Sequence, residues 1–156
     1  MKNLNNLLNR LLRRKPRIPK WLPWVILVAA VLGFGDSVYL TIEHYQGTTP
    51  PCSILEGCEV VTTSRFAKIL NIPVALLGSL YYLTIIVLVV NFLDSKKDTI
   101  LVALAYFTWI GLLASLWFVF VQLAILDAIC IYCMGSVTSS LLLFILGMIT
   151  YMEETT

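Results

Sequence analysis

Residues 99–152 read TILVALAYFTWIGLLASLWFVFVQLAILDAICIYCMGSVTSSLLLFILGMITYM. The run is apolar almost throughout, and Asp127, near its middle, is its only charged residue. A single helix of this length would be about 80 Å long, whereas the hydrocarbon core of a bilayer is about 30 Å thick. The run must therefore cross a membrane twice. We place the turn at residues 122–127, with Asp127 as the N-cap of the second helix.

The composition of the whole chain supports a membrane location. Of the 156 residues, 59% are hydrophobic and 13% are charged, against about 45–50% and about 25% in ordinary soluble domains. A chain this short cannot bury so much apolar surface in a water-soluble core. Four apolar stretches are long enough to cross a bilayer: Trp21 to about Ile42, Ile72 to Leu93, Thr99 to Leu126, and Ala128 to Met152. The first is too long for the core of a cleaved signal peptide. We expect an all-α, integral membrane bundle of four transmembrane helices.

The positive charges predict the orientation of the bundle. Nine of the eleven lysines and arginines lie before the first span or between the second and third spans, and only Arg65 and Lys68 lie between the first and second. Positive charge marks the cytoplasmic side, so both termini are expected to be cytoplasmic. We expect a basic N-terminal segment at 1–20 and a membrane domain at 21–152, with loop 45–71 outside and loop 94–98 inside. The amphipathic, basic run 4–14 is typical of either an interfacial helix or a solvated tail.

The four cysteines form two pairs that the predicted topology brings to one face of the membrane. Cys52 and Cys58 follow the first crossing, and Cys130 and Cys133 follow the third. Both pairs are therefore expected on the outer, oxidising side, where disulfides persist. Disulfides pass between pairs by thiolate attack through mixed disulfides, so this arrangement favours a redox relay.

The second pair is a C-x-x-C motif at the start of the fourth span. With Asp127 as N-cap, Cys130 would occupy the third helical position, where free N–H groups favour a thiolate. The charge of Asp127 and the nearby lipid oppose this effect, so the sequence leaves the sign of the pKa shift open.

The first pair lies in the run Gly47 to Cys58, which contains two prolines and two glycines. These residues disfavour regular helix. We expect a mobile, water-facing segment that a soluble partner can reach. Two other interpretations use the same residues: inert disulfides that staple the loop to the bundle, and a zinc site. The C-x5-C spacing is wide for zinc, and we expect no metal.

An ordered set of residues across most of the chain, from about Ser37 to about Leu143, resembles the vitamin K epoxide reductase (VKOR) family. It resembles most closely the bacterial and archaeal branch, which forms disulfides. The matching residues are, in chain order, Ser37-Val38-Tyr39-Leu40, Cys52, Cys58, Val61, Ser64-Arg65-Phe66-Ala67, Asn71-Ile72-Pro73-Val74-Ala75-Leu76-Leu77-Gly78, Tyr81-Tyr82 and Cys130-Ile131-Tyr132-Cys133.

The resemblance implies a thiol-disulfide:quinone oxidoreductase in the cytoplasmic membrane. Electrons would pass from a separate thioredoxin-fold partner on the outer face to Cys52 and Cys58, and then to Cys130 and Cys133. Cys58 would link to Cys130 during transfer, and Cys133 would face a quinone of the menaquinone or ubiquinone class. The family also has a short helix in the outer loop between helices 1 and 2, which we place at Arg65–Leu70.

Two departures from the family pattern affect these expectations. Vertebrate members carry a tyrosine four residues after the second cysteine of the C-x-x-C motif, and Val137 occupies that position here. This weakens the alternative function, which is reduction of vitamin K quinone or its epoxide. Some members carry a fused thioredoxin-like domain, which the sequence to Thr156 lacks, so we expect a separate partner.

A few further residues are candidates for the quinone site. Ser64 matches a serine or threonine typical of the family, and it is equally suited to cap the short loop helix. Tyr81 and Tyr82 are candidates to line the pocket. Asp36, a carboxyl within the first span, is either a proton carrier or a protonated or water-contacting acid near the interface. His44 is expected to lie at the membrane interface.

Overall fold

The protein is described here from a computed structural model, which describes residues 18–49 and 57–155. The expected N-terminal segment therefore lies almost wholly outside the described residues, and so does Cys52. Five α-helices are present in the described part: α1 (Leu22–Gln46), α2 (Gly57–Thr63), α3 (Val74–Ser95), α4 (Asp98–Phe120) and α5 (Ile131–Thr155). A π-helical turn, Val121–Ile125, continues α4.

Four of these helices are long and apolar enough to span a membrane, as the sequence predicts. The spans are Leu22–Gln46, Val74–Ser95, Thr99–Ile125 and Ile131–Met152. In a bilayer a helix satisfies its own backbone hydrogen bonds, which lipid cannot do. Helix α1 has a proline in its first turn and is followed by Gly47, whose left-handed φ of 69° suits a C-cap.

The four spans form a closed ring, in which α1 packs against α3, α3 against α4, α4 against α5, and α5 against α1. The larger cluster of buried apolar side chains occupies one half of this bundle. Its members come from the start of α1, the middle of α3, the start of α4 and the middle of α5: Leu22, Ile26, Ala29, Ala30, Tyr82, Ile85, Val89, Leu104, Leu143 and Leu146. The half that contains the cysteines lies at the opposite ends of these helices, and it is more open.

Gly33 in α1 lies directly against the ring of Tyr82 in α3. A Cβ atom added at Gly33 would overlap the ring of Tyr82. The Tyr82 hydroxyl reaches α5, where it donates to the carbonyl oxygen of Ser136 (2.7 Å) and shares a hydrogen bond with Ser140 Oγ (2.9 Å). Because Tyr82 is only 2% exposed, its ring fills the space that Gly33 leaves and joins three helices at one level.

The outer loop between α1 and α3 contains a short helix, as the fold class predicts, but not at the expected place. The helix is Gly57–Thr63, and the segment Arg65–Leu70 is instead a 3₁₀ turn (Arg65–Ala67) followed by a hairpin strand. The prediction at Arg65–Leu70 was wrong because Leu70 and Asn71 both adopt positive φ. Two such residues make the tight turn typical of hairpins, here between strands β1 (Lys68–Ile69) and β2 (Ile72–Pro73).

The connection between α4 and α5 also corrects a prediction. The chain turns at residues 121–130, which includes the expected 122–127, but Asp127 is not the N-cap of α5. Asp127 has a left-handed φ of 47°, and an N-cap residue normally has extended backbone. Three more residues follow before the helix begins, so Cys130 is the residue directly before α5, and its carbonyl oxygen accepts the N–H of Met134 (3.0 Å).

We expect Gly33→Ala to destabilise the bundle by about 1–3 kcal/mol, because the added methyl group overpacks a buried aromatic contact. The thermal midpoint of the protein in detergent micelles measures this effect. Gly35→Ala is the matched control, since a Cβ atom there meets nothing within 4 Å. Equal midpoints for the two variants would contradict the proposed role of the Gly33–Tyr82 contact.

Candidate redox site

Helix α2 places Cys58 against the start of α5. Cys58 and Cys130 are 1% and 0% exposed, and together with Val61 they form one buried cluster. The expectation that the two cysteine pairs meet is thus confirmed for these two members. The expectation that Cys58 lies in a mobile, water-facing segment was wrong, because packing against residues 128–130 overrides the weak helix propensity of Gly57 and the β-branched residues that follow it.

The contact depends on the absence of a side chain at Gly57. A Cβ atom there would lie 2.5 Å from the carbonyl oxygen and 2.6 Å from the nitrogen of Ile129. These are backbone atoms, which cannot move aside as a flexible side chain can. Threonine hydroxyls hold the short helix together from within: Thr62 donates to the carbonyl oxygen of Cys58 and Thr63 to that of Glu59, both at 2.7 Å.

The C-x-x-C motif has the geometry of an N-terminal cap. Cys130 Sγ accepts the backbone N–H of Cys133 at 3.4 Å, as the side chain of an N-cap residue does for the third helical residue. The hydrogen bond from the Cys133 thiol, more than this backbone bond, lowers the pKa of the Cys130 thiol to about 7, although burial acts in the opposite direction. The direction of the pKa shift at Cys130, which the sequence left open, is therefore downwards, and it favours the thiolate.

The three described cysteines differ in oxidation state. Cys58 is disulfide-bonded, whereas Cys130 and Cys133 are free thiols. The bond between Cys58 and Cys130 that a relay requires during transfer is thus not formed in this state, although the two residues share a cluster. Among the described residues, no group of three or more His, Cys, Asp and Glu side chains is arranged to hold a metal ion.

A cavity of about 590 Å³ occupies the open half of the bundle. This volume is in the range of small-molecule sites, which are mostly apolar with a few polar groups. The lining includes small residues, among them Gly78, Gly111 and Ala114, and larger apolar residues such as Leu40, Leu77 and Phe118.

Only one of the three described cysteines lines this cavity. Cys133 is part of the wall, whereas Cys58 and Cys130 are not. The order in space is therefore Cys58, Cys130, Cys133 and then the cavity. A two-electron transfer along this order would end at the cavity wall.

The three residues predicted to contact a quinone, Ser64, Tyr81 and Tyr82, all line the cavity. Their hydroxyl groups differ in their partners. Ser64 Oγ donates to the carbonyl oxygen of Val61 (2.8 Å) and makes no capping bond to the 3₁₀ turn that follows. The Tyr82 hydroxyl is bound to Ser136 and Ser140. The buried Tyr81 hydroxyl has no partner among the described residues, and its ring stacks on Phe107.

Asp36 lies just behind the cavity wall. Its carboxylate accepts a hydrogen bond from the hydroxyl of Ser136, and Ser136 lines the cavity one helical turn from Cys133. The carboxyl group is therefore connected to the site through one hydroxyl, and its predicted role in proton transfer stays a prediction. His44, which we expected only at the interface, also lines the cavity.

Sequence reasoning missed Gln122, which is 1% exposed and lines the cavity. Its Oε1 accepts the backbone N–H of Cys130 (2.9 Å), and its carbonyl oxygen accepts the N–H of Ala128 (3.1 Å). Its Nε2 has no partner among the described residues. A buried donor without a partner costs about 1–3 kcal/mol. The available signal was a strongly polar residue in an apolar span, eight residues before Cys130.

The cavity and its polar groups fit a quinone. A quinone ring is flat and apolar, and its oxygens are hydrogen-bond acceptors. The lining is apolar, and an unpartnered amide donor and a thiol lie in the wall. Fold and site together define a membrane-embedded protein with a dithiol beside an apolar pocket.

The family is shown by sequence comparison. The model of the vitamin K epoxide reductase family matches residues 24–148, which is most of the chain, so the protein belongs to this family. It is accordingly a multi-pass membrane oxidoreductase with a quinone-linked redox role. No curated protein matches the chain closely enough to be reported as a relative.

We expect the Cys130 thiol to ionise with a midpoint near pH 7 rather than near the usual 9. The test uses a chain in which Cys52 and Cys58 are replaced by serine, and it follows thiolate absorbance at 240 nm against pH. Cys133→Ala should move the midpoint upwards, because the main hydrogen-bond donor is lost. Cys130→Ala should remove the transition near pH 7, and its persistence in that variant would contradict the assignment.

We expect Gly57→Ala to slow disulfide formation between Cys58 and Cys130 roughly 10- to 100-fold, because reactions between positioned groups are sensitive to shifts of about 1 Å. The measurement uses a chain with Cys52→Ser and Cys133→Ser, a mild oxidant, and counting of free thiols with a mass-tagged maleimide. Gly135→Ala is the control, since a Cβ atom there meets nothing within 4 Å. Equal rates in the two variants would show that Gly57 does not set the approach.

Proposed function

We propose that the protein is a quinone-dependent thiol oxidase that generates disulfide bonds. The observation that carries this proposal is the spatial order of Cys58, Cys130, Cys133 and the cavity. Inert structural disulfides need only fixed pairs of cysteines, and they give no reason for Cys133 to lie in the wall of an apolar pocket. A relay needs each cysteine in its own place.

The thiol chemistry follows from this order. A reduced partner first converts the Cys52–Cys58 disulfide to a dithiol and is itself oxidised. The Cys58 thiolate then attacks Cys130 of a Cys130–Cys133 disulfide, so that a Cys58–Cys130 bond forms and Cys133 leaves as a thiolate. Cys52 next attacks Cys58, which restores the first disulfide and releases Cys130. The second pair now holds the two electrons.

A quinone is the final electron acceptor. It takes up two electrons and two protons from the dithiol of Cys130 and Cys133, and the Cys130–Cys133 disulfide is restored. The residues of the chain bind and orient it and exclude water. The lowered pKa of Cys130 favours its release as a thiolate from the mixed disulfide. Of the quinone classes, menaquinone and ubiquinone are both in keeping with the apolar lining.

We propose the cell membrane as the location, with both termini in the cytoplasm and the cysteines at the outer face. The loop with Lys96 and Lys97 joins α3 and α4 at the end of the bundle opposite the cysteines, and this is the end that the positive-inside rule assigns to the cytoplasm. The membrane domain would then comprise residues 21–152. The electron donor is proposed to be a separate thioredoxin-fold protein on the outer side, as the resemblance implies.

The alternative function is reduction of vitamin K quinone or its epoxide. Val137, which stands where vertebrate members have a tyrosine, lines the cavity. It presents two methyl groups in place of a hydroxyl that could bind the substrate. The lining of the pocket therefore favours the oxidase.

We expect the purified protein to reduce a soluble short-chain quinone anaerobically when a reduced thioredoxin-fold partner is supplied, and we expect Cys133→Ala to abolish turnover. Quinone absorbance measures the rate. In Cys133→Ala, Cys130 has no partner with which to form the disulfide that Cys58 attacks, so no electrons should reach the quinone.

A competent enzyme assayed with the same quinone and partner is the control. If that control turns over and the wild-type protein does not, the cysteines serve as structural staples and the proposal fails. If the reduced protein instead converts a vitamin K epoxide and oxidises no partner, the reductase is the correct assignment.

A further inference from the structure

Gln122 contacts Cys130 through its side-chain amide and also lines the cavity. One end of the amide is engaged: Oε1 accepts the N–H of Cys130 at 2.9 Å. Because a backbone N–H can only donate, the acceptor oxygen must face Cys130, and the orientation of the amide is fixed by chemistry. The NH₂ group must then face away from Cys130.

The NH₂ end has no partner among the described residues, although it is shut off from water. Only one other described side-chain atom, the Tyr81 hydroxyl, is in this condition. Both residues line the same cavity, but they lie at different depths. Tyr81 Oη abuts Gly111, and eleven residues, or roughly 16 Å of helix, separate Gly111 from Gln122. A single quinone ring is too small to contact both.

Of the two, Gln122 is the donor near the reacting thiol. It is bonded to Cys130, and Cys130 is in turn bonded to the N–H of Cys133. A quinone ring that receives electrons from the Cys133 thiol must lie against that sulfur, and therefore at the level of Gln122. Val137, one turn further along α5, offers no hydrogen bond.

We propose that Gln122 Nε2 donates a hydrogen bond to a carbonyl oxygen of the quinone, while Oε1 of the same side chain holds the N–H of Cys130. This inference rests on the proposed function and names a residue that would bind the quinone. One side chain then fixes the position of the electron acceptor relative to the dithiol. The bond also polarises the carbonyl group, which favours its reduction.

The π turn explains why the amide is available there. A regular helix would close hydrogen bonds between residues four apart, whereas Leu126 donates to Val121, five residues before it (3.0 Å). Turns of this kind are frequent at functional sites. In this one, the Gln122 carbonyl and side chain both turn to residues 128–130, and this couples the end of α4 to the start of α5.

The sequence makes a direct test possible, because Gln46 and Gln122 are its only glutamines. Selective ¹⁵N labelling of glutamine in the full chain, carrying Cys133→Ser to prevent turnover, gives two side-chain NH₂ signals in micelles. Gln46→Met assigns them and serves as the control, since Gln46 is exposed and does not line the cavity. Menadione and ubiquinone-1 are the probes. We expect the Gln122 protons to shift downfield on titration and those of Gln46 to stay unchanged.

Equilibrium dialysis of the same two quinones supplies the affinity. We expect Gln122→Met to weaken binding about 2- to 10-fold, the usual effect of one neutral hydrogen bond, and Gln46→Met to have no effect. If Gln122→Met does not fold, the shift of the Gln122 signal in the Cys133→Ser chain decides alone.

The outcomes separate this inference from the proposed function. Quinone binding without a shift of the Gln122 signal would overturn the inference and leave the oxidase in place. An absence of quinone binding in both the Cys133→Ser chain and the wild-type protein would overturn the proposed function itself.

Discussion

The hydrogen bond from the Cys130 N–H to Gln122 Oε1 fixes the part of the molecule on which the rest of the site depends. It lies where the chain leaves one membrane span and enters the next. In a bilayer a backbone N–H that has left a helix must find a partner in the protein. The side chain of Gln122 supplies that partner, and the position of Cys130 follows. Once Cys130 is fixed, Cys133 lies one turn into α5 with its thiol beside the cavity, and Gly57 brings Cys58 to the other side.

The two halves of the bundle have different tasks. The half away from the cysteines is filled by interlocking leucine, isoleucine and valine side chains, with Tyr82 at its border. Such packing resists volume changes, so it holds the helix axes apart at the other end. The helices therefore do not collapse to fill the cavity in the other half. The cavity in one half of the bundle thus depends on the tight packing of the other half.

Much of this could be predicted from the sequence, and the reasons are physical. Crossing a bilayer demands about 20 apolar residues per helix, so the four spans are visible in the composition alone. Counting the membrane crossings before each cysteine pair placed both pairs on the same side, so the proximity of Cys58 and Cys130 was expected before any contact was known. The resemblance selected Ser64, Tyr81 and Tyr82, and all three line the cavity. Their contact with a quinone is a prediction that the geometry supports and that binding experiments must decide.

The errors share a cause. Helix α2 begins at a glycine and continues through β-branched residues, so local propensity argues against it. Its stability comes from packing on residues 128–130, which are more than 60 positions away. Asp127 has the residue type of a cap, but its left-handed backbone belongs to a turn that starts with a π-helical step. Gln122 was overlooked for the same reason. Its importance lies in a partner eight residues away, across a break in the helix that no local pattern announces.

The burial of Cys58 and Cys130 has a consequence for how the protein would behave among small thiols. Both residues are almost fully buried in the described part of the chain, and thiol exchange requires direct contact between sulfur atoms. Glutathione and similar molecules are therefore kept from equilibrating with the inner cysteines. The redox state of those cysteines is insulated from the surrounding medium, and it is set by whatever reaches them through the loop on one side and the cavity on the other.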